Sequence, residues 1–587
     1  MSGICGRLGR PDPEALRRVE AMLAAATYRG DASATWAGEV ATLGWRGWAG
    51  RTRAGSGIAV TPTGKHVALA GRLTPPMDEP AVALAALVSA RDLGRLDGAF
   101  SAAIVAPGGR TLTLIRDPFG IRPLYVAEHA GALWFASELK QLVALTDLSL
   151  ELDDSALHHY LTFSFVPGEA TPLRAIRRLL PGHLLTATWD GDRVVVESPV
   201  RYAAVEEAIE PLEQAEASRR VWRGLRDAVG ARLFGEAEVG LYLSGGIDSS
   251  AVGAALRAHD VPTRAFTLDF GDDSVEREEA LAVATHLDMP MTRVPVRDAD
   301  IEADLDRLIW LLDLPFGDPV TGPHFRLGLA ARAAGLSSVF NGEGGDQLLG
   351  GWTSKPMVAA AVYGLGAPDD GNAATPEEQY LKSFHRFYGL ESELYTPDFA
   401  TRVGGPGQRR SKLAPYLGEG AASSFLHRVR LTDLWLKGTQ NLLPRAERMA
   451  AANGLDVRAP LFDRSFVELA FRLPPALKLH GACEKYVLKL AMQKRLPEDI
   501  VWRRKFGMTV PILRWLDGAL RPRVEEWLGD ASVRRRGLFR TEFVRTLREH
   551  SGIAGETRRR RYGERLWALL ILEGWLRRFV DNRGRAP

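Results

Sequence analysis

The sequence predicts an α+β domain of layered antiparallel sheets, followed by an α/β domain on a parallel, doubly wound sheet. Three observations carry this. Over roughly the first two hundred positions, short apolar runs are broken by Gly, Pro, Asp or basic residues, the pattern of antiparallel strands. From about residue 206, strands and amphipathic helices alternate, as parallel sheets require. Between one apolar strand and the helix after it lies a glycine-rich turn, SGGIDSS (244–250). A chain of 587 residues exceeds one compact core, so at least two domains are expected.

In the first region the strands are VALAGRL (67–73), FSAAIVA (100–106), RTLTLIR (110–116), PLYVAE (123–128), ALWFAS (132–137) and HLLTATW (183–189). Two helices punctuate them, at 13–26 and 79–93. The boundary is placed near residues 202–210, giving domains 1–205 and 206–587. The second region opens with a long amphipathic helix at 211–233. Strand 239–244, helix 249–259, strand 264–270, helix 276–287 and strand 291–296 follow. The remainder reads as mainly helical, with an exposed Gly/Asp/Pro/Asn-rich loop at 363–375.

Composition is ordinary for a globular protein, with 46% hydrophobic and 25% charged residues. A formal net charge of +3 gives no pull toward nucleic acid or a membrane surface. The two cysteines, Cys5 and Cys483, exclude a disulfide scaffold and fit a reducing cytoplasm. Residues 1–10 lack the apolar core of a signal peptide, and no run of about 20 apolar residues is present.

The SGGIDSS turn is the most informative stretch. Glycines let the backbone approach an anion, and the N–H groups at a helix start suit phosphate. Ser244, Ser249 and Ser250 add hydroxyl donors, and Asp248 belongs in an anion cradle only where a divalent cation bridges it to phosphate. The bland alternative is a strand–turn–helix corner with Ser and Asp as helix caps.

With these motifs in view, the chain resembles the asparagine synthetase B family over nearly its whole length. SGGIDSS resembles that family's pyrophosphate loop. LPFGDPVTGP (314–323), NGEGGDQLLGGW (341–352), ERMAAANGLDVRAPLFD (447–463), EKYVLK (484–489) and RRKFGMTVP (503–511) are similar to its later motifs. RDPFGIRPLYV (116–126) and WFASELKQL (134–142) are similar to motifs of its first domain. The resemblance implies an Ntn-type αββα sandwich joined to a PP-loop synthetase domain, an α/β parallel sheet of the HUP-like kind with a helical C-terminal part. It implies ATP and Mg²⁺ as cofactors, and adenylation of a carboxylate with release of pyrophosphate. Asp248 and Asp346 match the Mg²⁺-binding aspartates. Ser244, Gly245, Gly246, Ser249 and Ser250 match the pyrophosphate cradle. Leu243, Leu268 and Gly342 match backbone positions near the adenosine, Lys485 and Lys505 match lysines at the phosphates, and Glu343 matches a candidate base for the incoming amine. Simpler structural readings exist beside these. Glu343 competes with a role as helix cap. Arg458 and Asp463 read as an ion pair, Arg558 to Arg561 as a solvated helical face, and Trp310 and Trp502 as core.

The departures from the family are specific. Its glutamine-hydrolysing members begin Met-Cys-Gly-Ile, whereas this chain begins Met1-Ser2-Gly3-Ile4 and carries its cysteine at Cys5. The glutamine-pocket motif NGEIYN is replaced by AGRLTP (70–75), the segment from 75 to 96 is shortened, and Arg29-Gly30-Asp31 keeps part of RGPD. No glutamine hydrolysis is therefore expected. In the second domain Asn441 stands near a family acidic position and Gln347 replaces a glutamate. The start, the length and the insertion after Trp352 resemble lasso-peptide cyclases. In β-lactam synthetases the position of Glu343 is typically tyrosine. The expectation is thus a lasso-peptide macrolactam synthetase that joins an Asp or Glu side chain of a precursor peptide to its N-terminal amine. Expected partners are the precursor peptide, a leader-recognition protein and a leader peptidase. An ammonia- or glutamine-dependent asparagine synthetase and a β-lactam-synthetase-like enzyme are the alternatives.

Overall fold

A computed structural model describes residues 2–587 except 50–55, 275, 352–374, 404–406, 504–508 and 550–554. The expected loop at 363–375 except Thr375, the insertion after Trp352 as far as residue 374, and Lys505 lie outside the described residues.

The first region is a sandwich of two sheets. One has six strands in the order β10-β8-β9-β1-β3-β2, built from β1 (Gly3–Gly9), β2 (Ala32–Ala37), β3 (Ala41–Gly47), β8 (Tyr125–His129), β9 (Ala132–Ala136) and β10 (Arg177–Arg178). The other has seven, with β12-β11-β7-β6-β5-β4 in line and β13 beside β11. Its strands are β4 (Gly57–Val60), β5 (His66–Leu73), β6 (Gly98–Val105), β7 (Thr111–Arg116), β11 (His183–Trp189), β12 (Val194–Val196) and β13 (Val200–Arg201). Every pairing in the two sheets is antiparallel. Helix α1 (Ala15–Ala24) covers the first sheet and α2 (Pro80–Ala90) the second, so the layers run αββα. Ile4, Leu43, Ala70, Leu112 and Phe135 fill the space between the sheets. Strand β1 tolerates its glycines because of packing: a Cβ on Gly6 would lie 2.2 Å from the Thr42 carbonyl oxygen and 2.7 Å from the Phe135 ring.

Helix α3 (Asp154–Phe163) lies between strands β9 and β10 of the sandwich, and residues 202–213 form an extended connection without helix or strand. Helix α4 (Gln214–Gly230) opens the second region. Its sheet has five strands, all parallel, in the order β16-β15-β14-β17-β18. They are β14 (Val239–Tyr242), β15 (Thr263–Asp269), β16 (Met291–Pro295), β17 (Ser338–Phe340) and β18 (Asp456–Arg458). The order reverses at β14, and ligands of such sheets bind at the carboxyl ends of the strands beside that reversal. Helix α5 (Ile247–Arg257) leaves from that point. The C-terminal part is helical, through α6 (Leu443–Ala451) to α7 (Glu556–Trp575). Among the described residues no helix is long and apolar enough to cross a membrane.

The two regions share one apolar core, in which Val19 and Met22 of α1 join Tyr160 of α3, Trp515, Trp567 and Trp575. Ion pairs cross the same boundary. Arg29 meets Glu447 at 2.5 and 3.0 Å and also pairs with Glu138. Arg122 reaches Glu447 at 2.6 Å, and Lys140 reaches Asp313 at 2.8 Å. Arg116 donates to the carbonyls of Gly120, Arg122 and Leu179, each at 2.7 Å, and fixes the loop that presents Arg122. The motifs at 116–126, 134–142 and 447–463 thus fasten the two regions together. One sequence expectation is corrected here. Asp463 pairs with Arg232 at 2.5 Å and caps the helix after it, whereas Arg458 pairs with Glu236 and with Asp456 at 3.4 Å. Five positions along the chain the two side chains diverge, because Asp463 belongs to a helix N-terminus and Arg458 to a strand. Trp310 behaves as expected of a core residue, packed edge-on against Tyr28 with its indole N–H on the Gly584 carbonyl at 2.9 Å.

Candidate active site

The main cavity, of about 760 Å³, opens at the carboxyl ends of β14, β15 and β17. One end is the SGGIDSS loop. Gly245 sits at φ +75°, and a Cβ there would lie 2.6 Å from the Ala280 backbone nitrogen, so only glycine fits the turn. Helix α5 then begins with Gly246 as its cap and no side-chain capping bond. This disposes of the reading in which Ser and Asp serve as caps. The Ser244 and Ser249 hydroxyls are 3.2 Å apart on the cavity wall. Ser250 is fully buried and donates back to the Gly246 carbonyl at 2.9 Å.

The NGEGGD segment passes directly over this loop. A Cβ on Gly342 would lie 2.5 Å from the Ser249 backbone nitrogen, and one on Gly345 2.1 Å from Asp248 Oδ1, so these glycines let the segment lie against the loop and its aspartate. Asp346 is thereby brought beside Asp248, and Lys485 Nζ bridges them at 2.5 Å (Asp248 Oδ2) and 2.7 Å (Asp346 Oδ1). Burial works against the lysine's charge, but the two carboxylates overrule it and hold the ammonium well above its ordinary range. Lys485 itself has φ 54°, a left-handed conformation rare for a non-glycine residue, and it starts the helix Tyr486–Met492.

Glu343 faces the middle of the cavity. It caps nothing: the helix Gly345–Leu349 has Gly344 at its cap and no side-chain bond. Burial raises the pKa of Glu343 above the ordinary carboxylate range, and the nearby Asp346 and Asp318 reinforce this, against the opposing charge of Arg445. Burial also pushes Asp318 up, but its ion pair with Arg445 brings it down to about 2. Burial, then Arg445, lowers His324 to about 3.

Of the residues proposed from sequence, Leu243, Ser244, Gly246, Asp248, Ser249, Leu268, Gly342, Glu343, Asp346 and Lys485 line this cavity together. Gly245 and Ser250 do not. The first turns the chain and the second ties the helix to it. Lys437, Arg445, His324, Lys489 and Arg503 also line it and were not anticipated. The one available signal was the spacing of four between Lys485 and Lys489, a single helical turn. Arg560 was read as solvated surface, yet it lines the far end with Glu564, Arg386, Phe163 and Phe384.

In the first region Ser2 is 5% exposed. Its hydroxyl oxygen receives the Gly71 N–H at 3.0 Å and lies 2.8 Å from Ser56 Oγ. Cys5 is buried inside β1, and burial pushes its thiol far above the ordinary range.

A parallel sheet whose reversal point carries a glycine-turned phosphate loop, two convergent aspartates and a buried lysine defines an ATP-dependent ligase of the adenylate-forming kind. The chain belongs to the asparagine synthetase family. The family model for asparagine synthase matches residues 220–577, and that for a glutamine amidotransferase domain matches residues 80–197. A putative glutamine-hydrolysing asparagine synthetase of Mycobacterium bovis is 30% identical over 84% of this chain and 78% of its own length. The glutamine-hydrolysing asparagine synthetase 1 of Bacillus subtilis is 25% identical over 83% of this chain and 79% of its own. An amidase, chyE, of Penicillium rubens is 24% identical over 75% and 74%. The class of reaction is therefore carbon–nitrogen ligation driven by ATP, with AMP and pyrophosphate as products.

Proposed function

We propose that this chain is a peptide macrolactam synthetase of the lasso-cyclase kind, which adenylates an Asp or Glu side chain of a precursor peptide and joins it to that peptide's N-terminal amine. The observation that carries the reading is the lining of the cavity. Besides the phosphate loop and Glu343 it is lined by Phe163, Phe384, Arg386, Arg560 and Glu564. Aromatic faces and charged tips of both signs suit a polypeptide, whereas free ammonia needs no such wall. The commitment of Ser2 to Gly71 and Ser56 supports the same reading, since it leaves no evident source of ammonia from glutamine.

Asp248 and Asp346 converge on one point and offer hard oxygen ligands, so they fit a Mg²⁺ ion shared with the nucleotide phosphates. Such an ion would supply charge neutralisation at the leaving pyrophosphate. Lys485 then follows the same charge from the carboxylates to the phosphates. The loop N–H groups and the Ser244 and Ser249 hydroxyls orient the phosphates. Glu343, its carboxyl raised toward neutrality, is placed to take the proton that the amine must lose. Holding amine and adenylate on one peptide supplies the proximity advantage of an intramolecular reaction. A leader-recognition protein and a leader peptidase are the partners this role calls for.

The relatives, named as glutamine-hydrolysing asparagine synthetases, favour a second reading, an asparagine synthetase dependent on ammonia or glutamine. One experiment separates the two. The chain is incubated with Mg²⁺-ATP and a library of synthetic peptides having a free N-terminus and an internal Asp or Glu. The proposal expects a product lighter by one water together with AMP and pyrophosphate. Pyrophosphate release with aspartate and ammonium alone, and with no peptide, would overturn it.

A further inference from the structure

One helical wall of the cavity carries three polar side chains in line. Lys437, Asn441 and Arg445 succeed one another at intervals of four and all line the cavity. The segment Asp433–Leu442 is wound as a π-helix and runs straight into α6. Pro444 has no N–H to give the Gln440 carbonyl, which favours a widened turn just before it. π-Helical turns are rare and recur at functional sites, and here the segment is longer than a single turn.

Asn441 is the unusual member of the row. It is 6% exposed, and its carbonyl oxygen Oδ1 has no hydrogen-bond donor among the described residues. Its neighbour shows what a satisfied amide looks like at this place. Gln440 Oε1 accepts the Gly168 N–H at 2.6 Å, and Gln440 Nε2 donates to the Trp435 carbonyl at 2.7 Å. Native proteins rarely leave a buried amide oxygen without a donor, and such an atom facing a cavity asks for a ligand that brings an N–H or O–H. The cations on either side, Lys437 and Arg445, disfavour an ammonium there and favour a neutral amine.

We infer that Asn441 Oδ1 receives one N–H of the attacking primary amine and aims its lone pair at the adenylate, while Glu343, which lines the same cavity, receives the proton that leaves. This deepens the proposed function and rests on it. The step balances without any further reagent. A bond forms between the amine nitrogen and the acyl carbon, and the bond from that carbon to the AMP phosphate oxygen breaks. The electron pair departs with AMP, and the extra proton of the amine goes to the Glu343 carboxylate. Asn441 itself exchanges no proton, because an amide has none to take up at neutral pH.

The test compares Asn441→Leu, which keeps the branching at Cγ and removes the acceptor, with Asn441→Asp, which restores an oxygen. Two quantities are read in each variant: ATP–pyrophosphate exchange, for the adenylate, and amide product by mass spectrometry. The acyl donors are the peptide that the library screen yields and, separately, aspartate with ammonium. The ratio of amide formed to adenylate made is expected to fall about thirtyfold in Asn441→Leu, the loss of one hydrogen bond to the reacting group. In Asn441→Asp it is expected to return to within about threefold of the parent. An unchanged ratio in Asn441→Leu, or equal losses of exchange and amide, would leave Asn441 with a packing role and overturn the inference. Turnover of aspartate and ammonium alone overturns the peptide reading, while the same ratio still decides the role of Asn441. If no donor supports exchange, both fall.

Discussion

Lys485 Nζ stands between Asp248 and Asp346, within 2.5 and 2.7 Å of their carboxylate oxygens, and joins the phosphate loop to the segment that crosses it. The ammonium thus occupies the place a cation would share with the nucleotide. In Lys485→Met the two aspartates face each other without it. Mn²⁺, used as a spectroscopic stand-in for Mg²⁺, is then expected to bind the nucleotide-free protein more tightly than it binds the parent, by about tenfold. ATP–pyrophosphate exchange is expected to drop by about a hundredfold or more in the same variant. Unaltered Mn²⁺ affinity, followed by electron paramagnetic resonance, would show that the lysine does not compete for that point.

Restoring a cysteine at position 2 is not expected to restore glutamine hydrolysis. Position 2 is closed over, its hydroxyl held by Gly71 and Ser56, and Ser56 is itself tied to Trp45 at 2.9 Å and to the Leu69 carbonyl at 2.9 Å. The Arg29 guanidinium, from the partly kept RGPD motif, is spent on Glu138 and Glu447. Ser2→Cys should release no glutamate above background from glutamine in a coupled assay, and release at a rate matching amide formation would refute this.

Glu447 is fully buried and accepts from both Arg29 and Arg122 across the boundary between the regions. Glu447→Ala leaves two buried guanidiniums short of a counter-charge, and a loss of about 3–5 kcal/mol is expected in urea unfolding. A loss under about 1 kcal/mol would mean that Glu138 and Asp456 suffice to hold the two arginines.

His324 supplies a pH signature. It titrates near 6.5 when free and is lowered to about 3 in the cavity wall, first by burial and then by Arg445. Below pH 6.5 the unfolded chain takes up a proton that the folded chain refuses. Stability contributed by this group is therefore present above pH 6.5 and declines as pH falls toward 3. His324→Gln should flatten the fall of stability with acidification in that window relative to the parent. Identical slopes in the two proteins would remove His324 from the account.

Much of this was legible in the sequence, for reasons that differ along the chain. The phosphate loop could be read because a buried parallel strand, a glycine turn and a helix start are all local. Strand β1 was missed because its glycines argue against a strand until Phe135 and Thr42 are seen to demand them. Strands β17 and β18 were missed because each is three residues long, too short for a periodicity to show. The motif at 116–126 was recognised, but its purpose was hidden: Arg122 finds its partner 325 residues later, and Arg29 finds the same partner 418 residues later. Asn441 was noted as a departure from the family. That its oxygen lies buried and unmet is a property of the packed cavity, which no local pattern encodes.

Helix α3 comes from the sandwich side of the chain, yet Phe163 at its end and the adjoining Ser164 form part of the cavity wall. Ser164 is held there by the Gly317 N–H at 2.8 Å on its carbonyl and by Arg386 at 2.7 Å on its hydroxyl. Cutting the chain at the connection before α4 therefore cannot liberate a self-sufficient adenylating unit, since one side of its own substrate chamber would go with the discarded half. Anyone swapping synthetase halves between relatives, to retarget the enzyme, has to carry residues 154–164 along with the graft.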